Sequence, residues 1–196
     1  MTTSVIDTIF ELFDCYGNDR YGEDTTQLSH ALQCAALARE HGCPETLVAA
    51  ALLHDIGQFV ENAGLMAERR GLDARHEYLG SQLLAEAFPA AITEPIRLHV
   101  AAKRYLCAAD PAYAGKLSAA SKLSLRLQGG AMSAEERATF EDEPYFADAL
   151  TLRRFDDAGK AADLEDVDLA SYRPLLEALL IPSSQRAAIE SSQRSG

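Results

Sequence analysis

An all-α fold, a single helical bundle, is what this sequence predicts. Three observations predict it: apolar residues recur at helical spacing in segment after segment, good helix caps separate those segments, and nothing reads as alternating strands. Composition agrees. Alanine is abundant, while aromatic residues reach only 7% with no Trp. That mix suits close helix packing better than a β-sandwich, because alanine is the best helix former and lets helices approach. With 196 residues, 47% of them hydrophobic and 24% charged, the chain is expected to make one domain with a sizeable core.

The elements follow in order. An opening helix is expected near Ser4–Tyr16, with Val5, Ile9, Leu12 and Phe13 inward, ending at Gly17-Asn18. The next begins after Asp24, where Asp24-Thr-Thr-Gln27 resembles a capping box, and runs to about His41 before Gly42. Pro44 suits the first turn of a third helix. Its body, Leu47 through Ile56, is apolar almost all round and is therefore buried. Gly57 stops it. The stretch Phe59–Asp73, with Gly64, Gly71 and mixed charges, reads as an irregular loop. Further helices are expected near Ala74–Ala87, Glu94–Ala109, Ser118–Leu127 and Ala134–Glu141, the last opened by a Ser133–Glu136 capping box. Pro144 begins a helix reaching Asp156, and an amphipathic helix spans Leu169–Leu180. From Pro182 the chain is rich in Ser, Gln and Arg and has little to bury, so a flexible tail is expected.

A formal net charge of −12 repels phosphate backbones, which argues against nucleic acid as a partner. It says nothing against a small anionic substrate, which responds to the local field of a pocket. Cys15, Cys34, Cys43 and Cys107 lack CxxC spacing and read as free thiols. The N-terminus has no signal-peptide pattern and no run is long enough to span a membrane. A cytoplasmic protein without a membrane partner is the expectation.

Histidine placement is the informative feature. His54-Asp55 lies at the end of a buried apolar helix, and an unpaired imidazole and carboxylate there are costly by several kcal/mol, on the order of ~3. A metal ion satisfies both. Adjacent helical residues point about 100° apart, so a shared ion sits near the helix end, and the second carboxylate oxygen is able to reach another ion. His30, His76 and His99 each lie on a separate expected helix. Any one of them alone reads better as a hydrogen-bonded core histidine than as a ligand. As a set from different helices they match the bundle-core arrangement of binuclear sites. His41, at a helix C-terminus, suits the helix dipole and is left out. Lys103 follows His99 by four residues and shares its face, either aimed at the metals or solvated with Arg104.

His30, then His54-Asp55, then a distant Asp156 form the H…HD…D signature of the HD-domain superfamily. The longer motifs are Gln27-Leu-Ser-His30-Ala-Leu-Gln33-Cys34, Ala50-Ala-Leu-Leu-His-Asp-Ile-Gly57, His99-Val-Ala-Ala-Lys-Arg-Tyr-Leu106, Gln128-Gly-Gly and Arg153-Arg-Phe-Asp156. Over roughly residues 20–160 they resemble the PhnZ/TmpB-type HD-domain di-iron oxygenases, which cleave carbon–phosphorus bonds. The resemblance implies an HD domain over 1–181, with an N-terminal helix and lid loop, and a tail over 182–196. It implies that His30, His54, Asp55 and Asp156 bind one iron, and that Asp55 bridges to a second iron completed by His76 and His99. The cofactor would be a mixed-valent Fe2+/Fe3+ pair with O2 as co-substrate. Imidazole plus carboxylate ligation suits iron, and the all-oxygen set that favours Mg2+ is absent.

The resemblance also places Lys103, Ser121 and Arg153 around a substrate phosphonate, which needs cationic and hydroxyl donors. Two departures stand out. Where the family has a histidine against the phosphonate, this chain has Gln58, which donates a hydrogen bond but no charge; Lys103 and Arg153 then supply the charge, helped by Arg20. The family's lid tyrosine lies ten residues before the first His, where this chain has Arg20, with Tyr21 next. Glu23 matches the family's amine-sensing glutamate and Asp24 adds a second acid, though both also read as loop and cap residues. Tyr16, Tyr21 and Phe59 lie near the motifs, and an aromatic cage favours a quaternary ammonium.

The implied reaction is O2-dependent cleavage of a 1-hydroxy-2-ammonio-ethylphosphonate. The trimethylammonio substrate would give glycine betaine and phosphate, and the primary amine would give glycine. A hydroxylase upstream would supply the substrate. An HD phosphohydrolase needs the same H…HD…D core, and a non-catalytic HD sensor is the third reading.

Overall fold

The computed structural model describes residues 4–20, 25–60, 73–160 and 168–182. The expectations for Tyr21, Glu23, Asp24, the loop over 61–72 and the tail from 183 fall outside these residues. Among the described residues the fold is all-α, and the one extended pairing is an isolated bridge between Arg20 and Thr26.

Ser4 opens α1 (Val5–Tyr16) by accepting from the Asp7 N–H, and Ile6, Ile9 and Phe13 form its buried stripe. The cap of α2 (Gln27–Glu40) is Thr26, whose hydroxyl accepts from the Ser29 N–H, so the helix starts later than the Asp24 box suggested. The bridge to Arg20 holds Thr26 extended, as a cap residue must be. Helix α3 (Glu45–Leu53) is buried all round as expected, but it ends before His54, not at Gly57. Asp55 sits at φ −100°, ψ 5°, and Ile56–Gln58 turn as a 3-10 segment. α4 (His76–Leu84) begins only after Arg75, whose φ of 50° is incompatible with a helix running from Ala74.

The long helix α5 (Ala90–Ala109) starts four residues before the expected Glu94 and carries Pro95 internally. Pro95, the sixth residue, has no N–H to bond the carbonyl four residues before it, and burial of Ile92 and Ile96 holds the turn. α6 (Pro111–Lys116) is new: Asp110 caps it through the Ala112 N–H and Pro111 fills its first position. α7 (Ala119–Leu127) and α8 (Ala134–Glu141) lie where expected, α8 with the Ser133–Glu136 capping box complete. α9 (Phe146–Ala158) starts two residues beyond Pro144. The expected Leu169–Leu180 helix divides into a 3-10 segment, Leu169–Tyr172, and α10 (Arg173–Ala178), because Pro174 has no N–H to continue the first.

Small side chains set how closely the site helices approach. Ala35 and Ala38 of α2 and Ala49, Ala50 and Ala51 of α3 are fully buried where the two helices pack. α9 lies across both α5 and α2, and α4 lies on α5. The main core runs from Ile6, Ile9 and Phe13 through α3 to Leu152, Tyr172 and Leu176. A smaller core of Leu98, Ala102, Met132, Phe140 and Ala149 ties α8 to α5 and α9. No described helix is long and apolar enough to cross a membrane.

The tightest crossing is between the 3-10 turn and α4. A Cβ on Gly57 would lie 1.9 Å from the His76 carbonyl oxygen and 2.5 Å from the Gly80 nitrogen, both backbone atoms that cannot rotate away. Gly57 is therefore required for contact, beyond ending a helix. Gly57→Ala should destabilise the fold by about 3 kcal/mol, the upper end of overpacking costs. Gly115→Ala in α6 meets nothing within 4 Å and should be neutral or gain up to ~1 kcal/mol. Urea denaturation of both variants checks this, and equal midpoints would refute the close-crossing account.

Candidate active site

The early end of α3 matters most here. With His54 and Asp55 in a turn, the Asp55 carboxylate lies between two pairs of imidazoles. Its Oδ2 is 3.4 Å from His54 Nε2 and 3.8 Å from His30 Nε2. Its Oδ1 is 3.1 Å from His76 Nε2 and 3.8 Å from His99 Nε2. Asp156, on α9, closes the first side, with Oδ1 3.6 Å from His30 Nε2 and Oδ2 4.0 Å from His54 Nε2. The fold thus brings together all of the metal-site residues expected from sequence.

Backbone carbonyls orient three of the rings. Nδ1 of His30 donates to Gly159 O at 2.8 Å, that of His54 to Ala51 O at 2.9 Å, and that of His99 to Ile96 O at 2.7 Å. Each Nδ1–H is committed, so each Nε2 presents a lone pair. Burial and then His54 hold the His30 imidazole down to about 4, and burial and then His76 hold His99 down to about 3, so neither ring carries a second proton at neutral pH. His30 Nε2 nevertheless lies 3.2 Å from His54 Nε2, and His76 Nε2 lies 3.1 Å from His99 Nε2. The buried Asp55 Oδ2 has no hydrogen-bond donor. The Nε2 atoms of His30, His54 and His99 and the Asp55 oxygens thus converge as a donor set that cations complete, while at His76 burial is outweighed by the hydrogen bond to Asp55, which raises the pKa. Separations near 3 Å are those of neighbouring ligands on one ion with metal–nitrogen bonds of about 2.1 Å. The donor set fits two metal ions, one on each side of Asp55.

Cys34 also lies near the first side, 3.8 Å from the His30 ring nitrogens. Its ligand atom groups with those of His30 and His54; burial pushes the thiol's pKa up, and its Sγ–H donates to Phe155 O. Gly159 must stay small for this packing, because a Cβ there would meet Cys34 Sγ at 2.6 Å. That close approach is what delivers the Gly159 carbonyl to His30.

A cleft of about 600 Å3, open mouth included, leads to the metal side of Asp55, His76, His99 and Asp156. Lys103, Ser121 and Arg153 line it as expected, and so do Ser124, Lys160 and Gln27, which sequence reasoning missed. The missed signals were small ones: Ser124 follows Ser121 by one helical turn, and Lys160 follows Asp156 by four residues. Lys103 Nζ donates to Ser124 Oγ at 2.8 Å, and Lys160 Nζ donates to Ser121 Oγ at 3.1 Å. Burial, then Arg153, pulls the Lys103 ammonium down to about 8. Gln58 accepts from Gln27 Nε2 at 3.1 Å through its own Oε1, which leaves its amide N–H groups for a ligand.

Other expectations fare differently. Arg20 is exposed and does not line the cleft. Phe59 packs edge-on against Phe13 and stacks on Tyr16, so both aromatics serve the core. His41 holds Leu37 O as a helix-end residue, as read.

The HD domain matches residues 28–136 of the chain. The chain is 42% identical over 178 residues to the [1-hydroxy-2-(trimethylamino)ethyl]phosphonate dioxygenase (glycine-betaine-forming) of Leisingera caerulea, covering 90% of this chain and 91% of that protein. It is 44% identical over 180 residues to the hydroxymethylphosphonate dioxygenase of Gimesia maris, covering 89% and 88%. An uncharacterised protein of Acanthamoeba polyphaga mimivirus is 38% identical over 175 residues, covering 87% and 80%.

With one carboxylate oxygen aimed at each imidazole pair, Asp55→Ala should abolish metal binding at both positions. His99→Ala should remove about one ion and leave the other. Metal content per folded chain, measured by elemental analysis after gel filtration, checks this; full loading of Asp55→Ala would refute the shared-carboxylate geometry.

Proposed function

The chain belongs to the HD-domain family, among its oxygenases, and from that premise we propose that it cleaves the carbon–phosphorus bond of a 1-hydroxyphosphonate with O2. In this reading the favoured substrate is (R)-1-hydroxy-2-(trimethylammonio)ethylphosphonate, converted to glycine betaine and phosphate. The observation that carries the proposal is one cleft joining a two-sided His/Asp centre to a wall of ammonium, guanidinium and hydroxyl groups.

His30, His54, Asp55 and Asp156 would hold one iron, and Asp55, His76 and His99 the other. A mixed-valent iron pair supplies the redox chemistry by which O2 oxidises the hydroxyl-bearing carbon. The overall reaction balances with one oxygen atom of O2 entering the carboxylate and the other entering phosphate. The protein's own groups do the rest. Lys103, Arg153 and Lys160 offset the phosphonate charge, Ser121 and Ser124 donate hydroxyl hydrogen bonds, and Gln58 contributes an uncharged N–H where the family has a histidine. Asp55 keeps the two metal positions at a fixed separation. Tyr21 takes the lid role and Glu23 and Asp24 the amine side. A hydroxylase acting on the parent phosphonate would supply the substrate.

A second reading concerns the substituent alone. Among the described residues the cleft wall contains no Phe, Tyr or Trp to cage a quaternary ammonium. The hydroxymethylphosphonate enzyme is as similar to this chain as the trimethylamino one. Hydroxymethylphosphonate, with no amine, therefore belongs beside the two amino substrates in any assay.

With Fe(II), ascorbate and each hydroxyphosphonate, phosphate release should require O2; equal release under argon would sink the oxygenase reading. The trimethylammonio substrate should show the highest kcat/KM, and a large advantage for hydroxymethylphosphonate would reverse the assignment of the amine. Because Lys103 titrates near 8, its ammonium is lost as pH rises through that value. The kcat/KM should then fall about tenfold per pH unit on the alkaline side. Lys103→Arg keeps its charge and should move that limb up by about one pH unit or more. An unmoved limb would show that another group titrates.

A further inference from the structure

Arg153 is held by more partners than a substrate-binding arginine needs. On the buried face of α9 its Nη1 donates to Asp156 Oδ2 at 2.7 Å, and its Nε donates to Asp157 Oδ2 at 3.2 Å. Nη2 donates to the other oxygen of Asp157, so that carboxylate takes one whole edge of the guanidinium. Tyr113, forty residues away in sequence, comes in from α6. Its hydroxyl accepts from Arg153 Nε at 3.1 Å and donates to Asp157 Oδ2 at 2.5 Å. These bonds leave one N–H on each terminal nitrogen of Arg153, and Arg153 lines the cleft.

We propose that Tyr113 and Asp157 are positioning residues for the phosphonate subsite: they lock the Arg153 guanidinium so that its two remaining N–H groups serve the phosphonate while Nη1 stays on Asp156. The inference rests on the reading of Arg153 as a phosphonate ligand. Its chemistry is that of preorganisation. A long arginine side chain has many rotamers, and a ligand that must order it loses affinity for that reason. The Asp157 fork and the Tyr113 hydroxyl settle the rotamer before the ligand arrives. The same lock connects α6 to the site, which gives that short helix a part in binding. A network serving only to brace α6 against α9 would have the same bonds but no effect on ligand affinity in a folded protein.

The test compares Tyr113→Phe, Asp157→Asn and Asp157→Glu in the metal-loaded full-length protein. Tyr113→Phe should raise KM for the hydroxyphosphonate about five- to tenfold with kcat within about twofold, the loss of one charged hydrogen bond. Asp157→Asn should raise it about thirtyfold, and Asp157→Glu should recover part of that loss. Metal content and Tm should match the parent for Tyr113→Phe. Calorimetric affinity for methylphosphonate, which is not turned over, should weaken by the same factors. Unchanged KM and unchanged methylphosphonate affinity in Tyr113→Phe and Asp157→Asn would overturn the inference, as would a fall in Tm or metal content with no change in affinity. If the parent turns over no hydroxyphosphonate, the functional reading fails while the methylphosphonate arm still decides the clamp. A parent that neither turns over a hydroxyphosphonate nor binds methylphosphonate would overturn both.

Discussion

Everything around the site follows from placing one carboxylate, Asp55, where two sets of buried imidazole lone pairs converge. In water such groups would separate and hydrate. Here they are held within about 4 Å of one another in the interior of a helical bundle. Burial alone disfavours the charged Asp55, yet His54 and His76 hold its carboxyl well below the ordinary range. Asp156 is held low in the same way, by Arg153 and then His54. Two low-pKa carboxylates among four imidazole rings, three of them oriented by backbone carbonyls, make a donor set that suits metal ions.

The scaffold achieves this with small residues and carbonyls. Alanines between α2 and α3 let His30 and His54 approach, and Gly57 lets the 3-10 turn meet α4 so that His76 reaches Asp55. Three backbone carbonyls then set the ring tautomers. His76 is the exception: its Nδ1 faces Glu77 Oε2 at 3.8 Å, a buried oxygen with no hydrogen-bond donor. It is also the least buried of the four rings, with 14% of its side chain exposed, and it lines the cleft. Both rings on one side of Asp55, His30 and His54, are thus tied by carbonyls, and on the other side only His99 is.

Much of this was legible in the sequence, for physical reasons that can be stated. His54 and Asp55 stand out because they follow an apolar run that leaves them no solvent, and buried polar groups announce a partner. Capping residues such as Ser133 with Glu136 mark helix starts because their bonds are local. Less legible was whatever depended on contacts between distant segments. The end of α3 at Leu53 is set by the Gly57–His76 crossing, and that cannot be read from residues 45–57 alone. α6 is a six-residue helix whose reason for existing is Tyr113, forty positions from its partners on α9. Lys160 and Ser124 are ordinary polar residues until the fold turns them toward one cleft. The aromatic residues misled for the opposite reason: Tyr16 and Phe59 lie near the motifs in sequence but stack in the core.

Net charge and local charge have to be kept apart to understand how an acidic protein accommodates a dianion. The whole chain carries −12, yet the cleft gathers Lys103, Arg153 and Lys160 on one wall. Asp55 and Asp156 line the same cleft, and two metal ions would more than cancel their charge. The local field is then positive, and in a partly desolvated cleft it outweighs the distant surface charge, which solvent and salt screen over roughly 10 Å. Gln58 brings no charge to the cleft, and Lys160 lies in the same cleft. Arg153 stands where the two halves of this balance meet, bonded to Asp156 on one side and open to the cleft on the other. On the proposed reading, phosphonate recognition and the geometry of the metal position beside Asp156 would for that reason be a single electrostatic problem, met by one side chain.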